Sequence, residues 1–312
     1  MKVVKVEKVE GTRKAYDLTI KNTHCYFVGP GVLAHNCSFT YVDGVLQRVL
    51  TRGGGEEGED ITRNALKMRG VKRVLSTRFT GDLRGEAMFV APEFAAYNAK
   101  AASTKNWTVF KNMRNGASGL ARRHSGDGVE FLRVFFYELK SDVLDFDSHF
   151  EKMSYLRKIL GLWTPWYARV DLKGLEEIYD KYESEIRENL IYEIDGLVIK
   201  VDSASECEDI ESTMQTSSRT TANPKSQVAW KFMAETRVTT LLDVEWEFGL
   251  GGRITPVAIL SPVMIGGVEV RRASLSTFSR VATLKLWKGC KVLISRRNDV
   301  IPYLEKNLEI NM

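Results

Sequence analysis

Residues 192–201 read Tyr192-Glu193-Ile194-Asp195-Gly196-Leu197-Val198-Ile199-Lys200-Val201, an apolar run interrupted by one Asp-Gly. Asp-Gly between apolar runs is a tight-turn signal, so Leu190 to Val201 predicts paired strands around Asp195-Gly196. Lys200 then follows the turn on a strand flanked by Val198, Ile199 and Val201. Lys231, between Trp230 and Phe232, has the same surroundings. Lysine is seldom buried without a partner, so two lysines on largely buried strands point to function rather than to solvated charge. Just upstream, Leu175, Ile178, Tyr179, Tyr182 and Ile186 share one face of an amphipathic helix. Phe150, Met153 and Ile159 mark a similar stripe over residues 148–160.

Toward the carboxyl end the pattern turns to short strands with Gly turns: Leu242 to Phe248, Ile254 to Leu260, Val268 to Arg272, Val292 to Ile294. A small β-barrel is the natural reading. Toward the amino end, Phe39 to Val42 and Val45 to Leu50 flank Asp43-Gly44, a strong hairpin signal. Residues 1–36 also alternate apolar and polar side chains, with turn signals at Lys21-Asn22 and Gly29-Pro30-Gly31. The expected class is α+β, with antiparallel sheets. Boundaries fall near 36/37 and 236, dividing the chain into residues 1–36, 37–236 and 237–312.

A chain of 312 residues suits two or three domains, and 44% apolar with 27% charged residues excludes wholesale disorder. No apolar stretch approaches the roughly 18 to 20 residues of a membrane helix, and no basic start leads into an apolar run. The expectation is a cytoplasmic protein with no membrane partner, from a bacterial cell or a phage-infected bacterium. Residues 1–36 hold six Lys or Arg against three acids, leaving only +2 of the net +5 for everything after them. A nucleic-acid surface must therefore be a local patch. Cys25, Cys37, Cys207 and Cys290 include no Cys-x-x-Cys pair, which argues against a metal site or a disulfide framework.

His35-Asn36-Cys37 carries chemistry of its own. An Asn side-chain amide nitrogen can attack its own backbone carbonyl, close a succinimide and break the following peptide bond. A neighbouring imidazole can protonate the departing amine, and a thiol in the next position can hold an acyl group as a thioester. Together with Tyr16-Asp17-Leu18-Thr19-Ile20, Thr23-His24-Cys25-Tyr26-Phe27 and Gly31-Val32-Leu33-Ala34, the triplet resembles the two C-terminal splicing blocks of inteins. The resemblance implies that Asn36 cyclises, His35 is the penultimate histidine, and Cys37 receives the transferred acyl chain. It also implies that Asp17 and His24 assist. The amino-terminal intein blocks are not present, so the segment looks like the C-terminal piece of a split intein, which acts with an N-terminal partner fragment.

The body after Cys37 resembles a second family. Tyr41-x-Asp43-Gly44-Val45-Leu46, Thr51-Arg52-Gly53-Gly54-Gly55, Gly58-Glu59-Asp60-Ile61-Thr62-x-Asn64, Leu83-Arg84-Gly85-Glu86, Arg114-Asn115-x-x-x-Gly119, Tyr192 to Val201, and Trp230-Lys231-Phe232-x-Ala234-Glu235 are similar to bacterial NAD-dependent DNA ligases. Ile254-Thr255-Pro256-Val257-Ala258 and Asp299-Val300-Ile301-Pro302 continue the series. The resemblance implies a nucleotidyltransferase (adenylation) domain followed by an OB-fold. Its implied substrates are NAD, with Mg2+, and nicked double-stranded DNA. It makes Lys200 and Lys231 the phosphate-binding lysines, and Arg52 and Glu86 the nucleotide contacts. Arg114, Arg122 and Arg187 become DNA-phosphate contacts, and Asp195 an assistant in metal binding or phosphoryl transfer. Arg253, Arg271, Arg272, Arg280, Arg296 and Arg297 are further candidates for DNA phosphates. Departures stand at Gly54 (Asp in the family), Leu250 (commonly Arg) and Ser276-Thr277 (His-Asn).

In that family the nucleophilic lysine of Lys-x-Asp-Gly lies six residues before the position of Cys37; here Gly31-Val32-Leu33-Ala34 stands there, and no Lys-x-Asp-Gly occurs in the sequence. The missing nucleophile and the splice junction explain each other. The resemblance thus implies the C-terminal precursor of a split ligase, whose lysine arrives on the partner. Two alternatives stay open: a nicked-DNA-binding remnant without catalysis, and a ligase body complemented non-covalently by another subunit. The family's zinc-finger, helix-hairpin-helix and BRCT domains would follow residue 302, so a minimal or truncated ligase is expected.

Overall fold

The computed structural model describes residues 26–32, 35–51, 58–214, 225–248, 254–265, 268–297 and 301–309. Asp17, His24 and Arg52 lie outside the described residues, as do Arg253 and the substituted positions Gly54 and Leu250. The chain divides into two units, Met1–Lys231 and Phe232–Met312.

The first unit holds two antiparallel four-stranded sheets. One has the order β3 (Val45–Thr51), β2 (His35–Val42), β4 (Gly81–Met88), β5 (Arg133–Lys140). Alternation puts Phe39, Tyr41, Leu83, Val134 and Phe136 into a continuous core, all fully buried. The β2–β3 hairpin closes at Asp43-Gly44 with φ of 49° and 78°. Two left-handed residues in succession match the twist of a two-residue hairpin, which is why Asp-Gly serves here. A Cβ on Gly44 would lie 2.4 Å from Thr77 O.

The other sheet has the order β6 (Ala168–Val170), β1 (Tyr26–Val32), β7 (Ile194–Val201), β8 (Gln227–Lys231). Two expectations are corrected in this sheet. Asp195-Gly196 is not a turn between paired strands but lies inside the single strand β7, paired through Gly196 with Gly31 on one side and Lys231 on the other. Gly29-Pro30-Gly31 is likewise not a turn but part of β1. Pairing of β1 with β6 ends at Val28, so Pro30 stands where only one flank carries a ladder. A residue without an N–H is tolerated at such a place.

The 36/37 junction falls inside an element. β2 starts at His35 and runs unbroken past Cys37, with Asn36 opposite Glu86 and Cys37 opposite Gly85. The amphipathic stripe upstream of β7 forms Leu172–Lys181, continuing as a wider helical turn over Tyr182–Ile186. Leu175, Tyr179 and Tyr182 are its buried face. The stripe over 148–160 forms His149–Ser154 and Tyr155–Ile159, capped by the Ser148 hydroxyl, which accepts from Glu151 N.

The second unit is a closed five-stranded barrel. Its order is β10 (Ile254–Ile265), β11 (Val268–Ser274), β13 (Ile301–Asn307), β12 (Lys291–Arg297), β9 (Thr236–Phe248). Leu241, Ala258, Leu260, Val270, Val292, Ile294 and Leu304 fill its interior. Closure removes the open edges that would otherwise template aggregation.

Candidate nucleotide site

Lys200 is buried, as its apolar neighbours required, and its partner is Glu138 on β5: Nζ donates to Oε2 at 2.6 Å. How a carboxylate comes to stand there follows from a register slip. Arg84 pairs with Glu138 but Gly85 pairs with Phe136, so Tyr137 is an extra residue in β5. The bulge reverses the alternation: Val134 and Phe136 face the core, then Leu139 does, and Glu138 is turned to the opposite face. Lys152 Nζ lies 3.9 Å from Glu138 Oε1, and His149 Nδ1 lies 3.6 Å from Oε2. Burial alone would raise the Glu138 carboxyl. The charge and hydrogen bond of Lys200, with the charge of Lys152, outweigh it and hold the group well below the usual carboxylate range.

His149 is lowered from the ordinary 6.5 to about 4, by burial first and by the Lys200 charge next. The folded chain therefore keeps a neutral ring where the unfolded chain would take a proton. Stability is lost as pH falls from about 6.5 toward 4, by up to about 3 kcal/mol across that window. Replacing His149 by Gln should flatten this part of the stability profile, measured by urea unfolding at pH 7 and pH 4.5. An unchanged acid loss in the variant would refute the assignment.

Lys231 is not buried as its apolar neighbours led one to expect: β8 alternates between exposed and half-buried positions, and the side chain is 48% exposed where it pairs with Asp195 across the β7–β8 ladder. Behind it the Tyr179 and Trp230 rings stack with centroids 4.2 Å apart, and Tyr179 Oη donates to Lys231 O at 3.1 Å. Gly196 is what allows the two strands to approach: a Cβ there would meet Trp230 O at 2.4 Å and Lys231 Cα at 2.6 Å. Both are backbone atoms and cannot swing aside. Gly196→Ala should cost about 2 kcal/mol or more and weaken the aromatic near-UV circular dichroism of the stacked pair. A parent-like melting temperature with intact near-UV signal would show that the ladder yields freely.

Glu86 is buried on β4. Burial and then Glu86 raise the Cys37 thiol to about 12. Burial and then Glu86 likewise raise Tyr137 above its ordinary range. In this fold Cys37 is 2% exposed, so the thiol is neither ionised nor reachable. Gly31, where the ligase resemblance places a lysine, stands opposite Gly196, and Phe27 opposite Lys200. Positions 31, 196 and 200 thus share one face of this sheet.

The DNA-contact candidates are spread over separate elements. Arg114 is the second residue of the helix Met113–Ala121, and exposed Arg122 follows it as C-cap, donating to Ser118 Oγ at 3.1 Å. Gly116 of this segment has a packing reason, since a Cβ there would lie 2.9 Å from the Phe110 ring. Arg187 is half-buried in the turn Arg187–Asn189. In the barrel, Arg271 pairs with Glu269 at 2.7 Å, and Arg272 with Glu245 at 2.9 Å and Glu247 at 2.5 Å. Arg280 donates to Leu304 O at 2.9 Å. Glu269 shares β11 with Arg271, Glu245 and Glu247 belong to β9, and Leu304 to β13. The Arg271 and Arg272 pairs are exposed, and exposed pairs of this kind are weak enough to exchange for a phosphate. The side chains of Arg296 and Arg297 lie outside the described residues. Among the described residues no three His, Cys, Asp or Glu side chains gather as a metal cage, and no helix is long and apolar enough to cross a membrane.

Sequence reasoning missed Glu138 and His149. On simple alternation after Val134 and Phe136, Glu138 would point into the core, and only the bulge places it elsewhere. The His149 ring lies 3.9 Å from the Cys207 sulfur on its far side. This pairing joins segments 58 residues apart, for which the sequence holds no local signal.

Two antiparallel sheets that bring one buried and one exposed lysine against carboxylates, with a closed barrel following in the chain, define a nucleotidyltransferase-like adenylation module with an OB-fold. Residues 7–235 match the NAD-dependent DNA ligase adenylation domain, and residues 238–311 match the NAD-dependent DNA ligase OB-fold domain. The chain belongs to the NAD-dependent DNA ligase family. The DNA ligase of Sorangium cellulosum is 37% identical over 269 residues, covering 86% of this chain and 37% of the relative. That of Campylobacter lari is 32% identical over 301 residues, 95% of this chain and 45% of the relative. The chain thus spans about two fifths of the length of the curated relatives it matches. Among solved structures, Pmar-Lig_PreS3 aligns with a TM-score of 0.51 at 12% identity, over 90% of this chain and 62% of that one. A Lig E DNA ligase aligns at 0.50 and 11% identity, over 90% and 92%. At such identities the likeness is one of fold.

Proposed function

We propose that this chain is the C-terminal part of a split NAD-dependent DNA ligase, joined to its nucleophile-bearing partner by protein splicing. The observation that carries the reading is a coincidence at one place. Gly31 occupies the position of the family's lysine, and His35-Asn36-Cys37 follows within six residues. Splicing would remove residues 1–36, and the lysine would arrive on the strand leading into Cys37.

In the joined protein the lysine amine attacks the α-phosphate of NAD. The N–P bond forms, the bond to the nicotinamide mononucleotide breaks, and the enzyme holds lysyl-AMP. Lys200 and Lys231 supply fixed positive charge where the phosphate oxygens gain negative charge, and Arg52 and Glu86 contact the nucleotide. Asp195, through its pair with Lys231, sets where that ammonium stands. AMP passes to the 5′-phosphate of a nick, and the 3′-hydroxyl then displaces it. Arg114, Arg122 and Arg187 hold the duplex in this reading. Magnesium is commonly held by one or two carboxylates with the nucleotide phosphates, and Glu86 is the carboxylate available for that among the nucleotide contacts.

In the splicing step the Asn36 amide nitrogen attacks the Asn36 carbonyl carbon. The bond to Cys37 nitrogen breaks, and that amine takes a proton, with His35 as its source. Asp17 and His24 assist. The fold adds a condition. The scissile bond lies inside β2, which is flanked by β3 and β4, and Cys37 is buried. Splicing therefore belongs to a state in which the start of β2 is held by the partner fragment rather than by the sheet.

Intact mass spectrometry after mixing the chain with an N-intein-bearing fragment from the same genome tests this. A released 36-residue peptide ending in a succinimide, with a longer protein joined at Cys37, is expected. A second reading, non-covalent complementation by another subunit, is favoured by the unbroken run of β2 through residues 36 and 37 and by a family match that begins at residue 7. Partner binding without any mass change would select it.

A further inference from the structure

We propose that Glu138 is the positioning residue for Lys200, an assignment that rests on reading Lys200 as a phosphate ligand. The Lys200 side chain is 7% exposed, and its ammonium donates to Glu138 Oε2 at 2.6 Å. Two ammonium groups, Lys200 and Lys152, meet this one carboxylate. The neighbouring groups do not cancel the remaining charge. The His149 ring is neutral near pH 7, Asp202 is committed to Arg169 at 2.6 Å, and the Cys207 thiol donates to Val201 O at 3.2 Å. Among the described residues the cluster therefore carries one net positive charge, the sign a phosphate requires.

Lysine has a long, freely rotating stem and a point charge with no preferred direction. On a strand it would sample many rotamers, and fixing it on a ligand would weaken binding. Glu138 removes that freedom in advance, because the bulge at Tyr137 presents its carboxylate to the ammonium before any nucleotide arrives. The role acts through Lys200 alone, so it concerns the phosphate and not the base or the sugar.

That division supplies the test. The full chain is titrated calorimetrically with AMP and, separately, with adenosine. The parent is expected to prefer AMP. Glu138→Gln keeps the size and an acceptor oxygen but loses the charge. It should weaken AMP about tenfold and leave adenosine unchanged. Glu138→Asp, which keeps the charge on a shorter stem, should recover part of the loss. Equal weakening of both ligands would make Glu138 a structural support only, and parent-like AMP binding would remove any role; either result overturns the assignment. If Glu138→Gln does not fold, Glu138→Asp decides by the same comparison, a loss confined to AMP supporting the role and an equal loss overturning it. A parent that binds AMP no better than adenosine would sink the phosphate reading of Lys200, and this assignment with it.

Discussion

Incubated with NAD labelled in its adenylate, the unspliced chain is expected to carry no alkali-stable, acid-labile lysyl-AMP. The protein joined at Cys37 is expected to carry close to one per molecule. The difference should exceed about 10⁴-fold in rate, because a covalent nucleophile is being removed rather than a supporting group. Neither resident lysine is a substitute. Lys200 is tied to Glu138 at 2.6 Å, and Lys231 is paired with Asp195. An ammonium held by a carboxylate has its nitrogen lone pair occupied by a proton. Gly31 supplies a backbone at the required register but no amine. Label on the purified chain alone, retained through denaturing electrophoresis, would contradict the split-ligase reading.

Replacing Asn36 by Ala should abolish release of the 36-residue peptide, since no other group at that position can form a succinimide. The expected yield is zero within detection by intact mass over a day. Cys37→Ala should stop joining while allowing slow Asn36 cleavage, which separates the two steps. If complementation is non-covalent, Asn36→Ala leaves ligase activity of the mixed fragments unchanged. The Asn36→Ala variant is expected to keep the parent fold. Circular dichroism of the variant checks this.

Much of the fold was legible because its signals are local. Asp43-Gly44 demands left-handed backbone, and φ of 49° and 78° is what the hairpin shows. Leu175, Tyr179 and Tyr182 repeat at helical spacing and form one buried face. The barrel strands follow from short apolar runs between glycines. The same logic failed at Asp195-Gly196 and Gly29-Pro30-Gly31, where turn chemistry was overridden by neighbouring strands. At Gly196 the glycine serves close approach to β8, not a positive φ.

The residues of the candidate site divide along the same line. Lys200 could be named from the sequence, because apolar flanks predict burial and a buried lysine needs a reason; the same argument failed for Lys231, whose side chain is exposed on β8. The chemistry of His35-Asn36-Cys37 is likewise written in adjacent residues. What those residues touch was not. Glu138 reaches Lys200 only because one extra residue in β5 reverses the side-chain alternation. Cys37 is buried only because β3 and β4 flank β2. The acids beside Arg271 and Arg272 are brought there by the barrel strands. Period and turn chemistry depend on neighbours along the chain, so the sequence alone determined the elements and the reactive groups. Register, bulges and ion partners depend on segments tens of residues apart, and a slip of one residue exchanges the two faces of a strand. Only the tertiary structure could decide those.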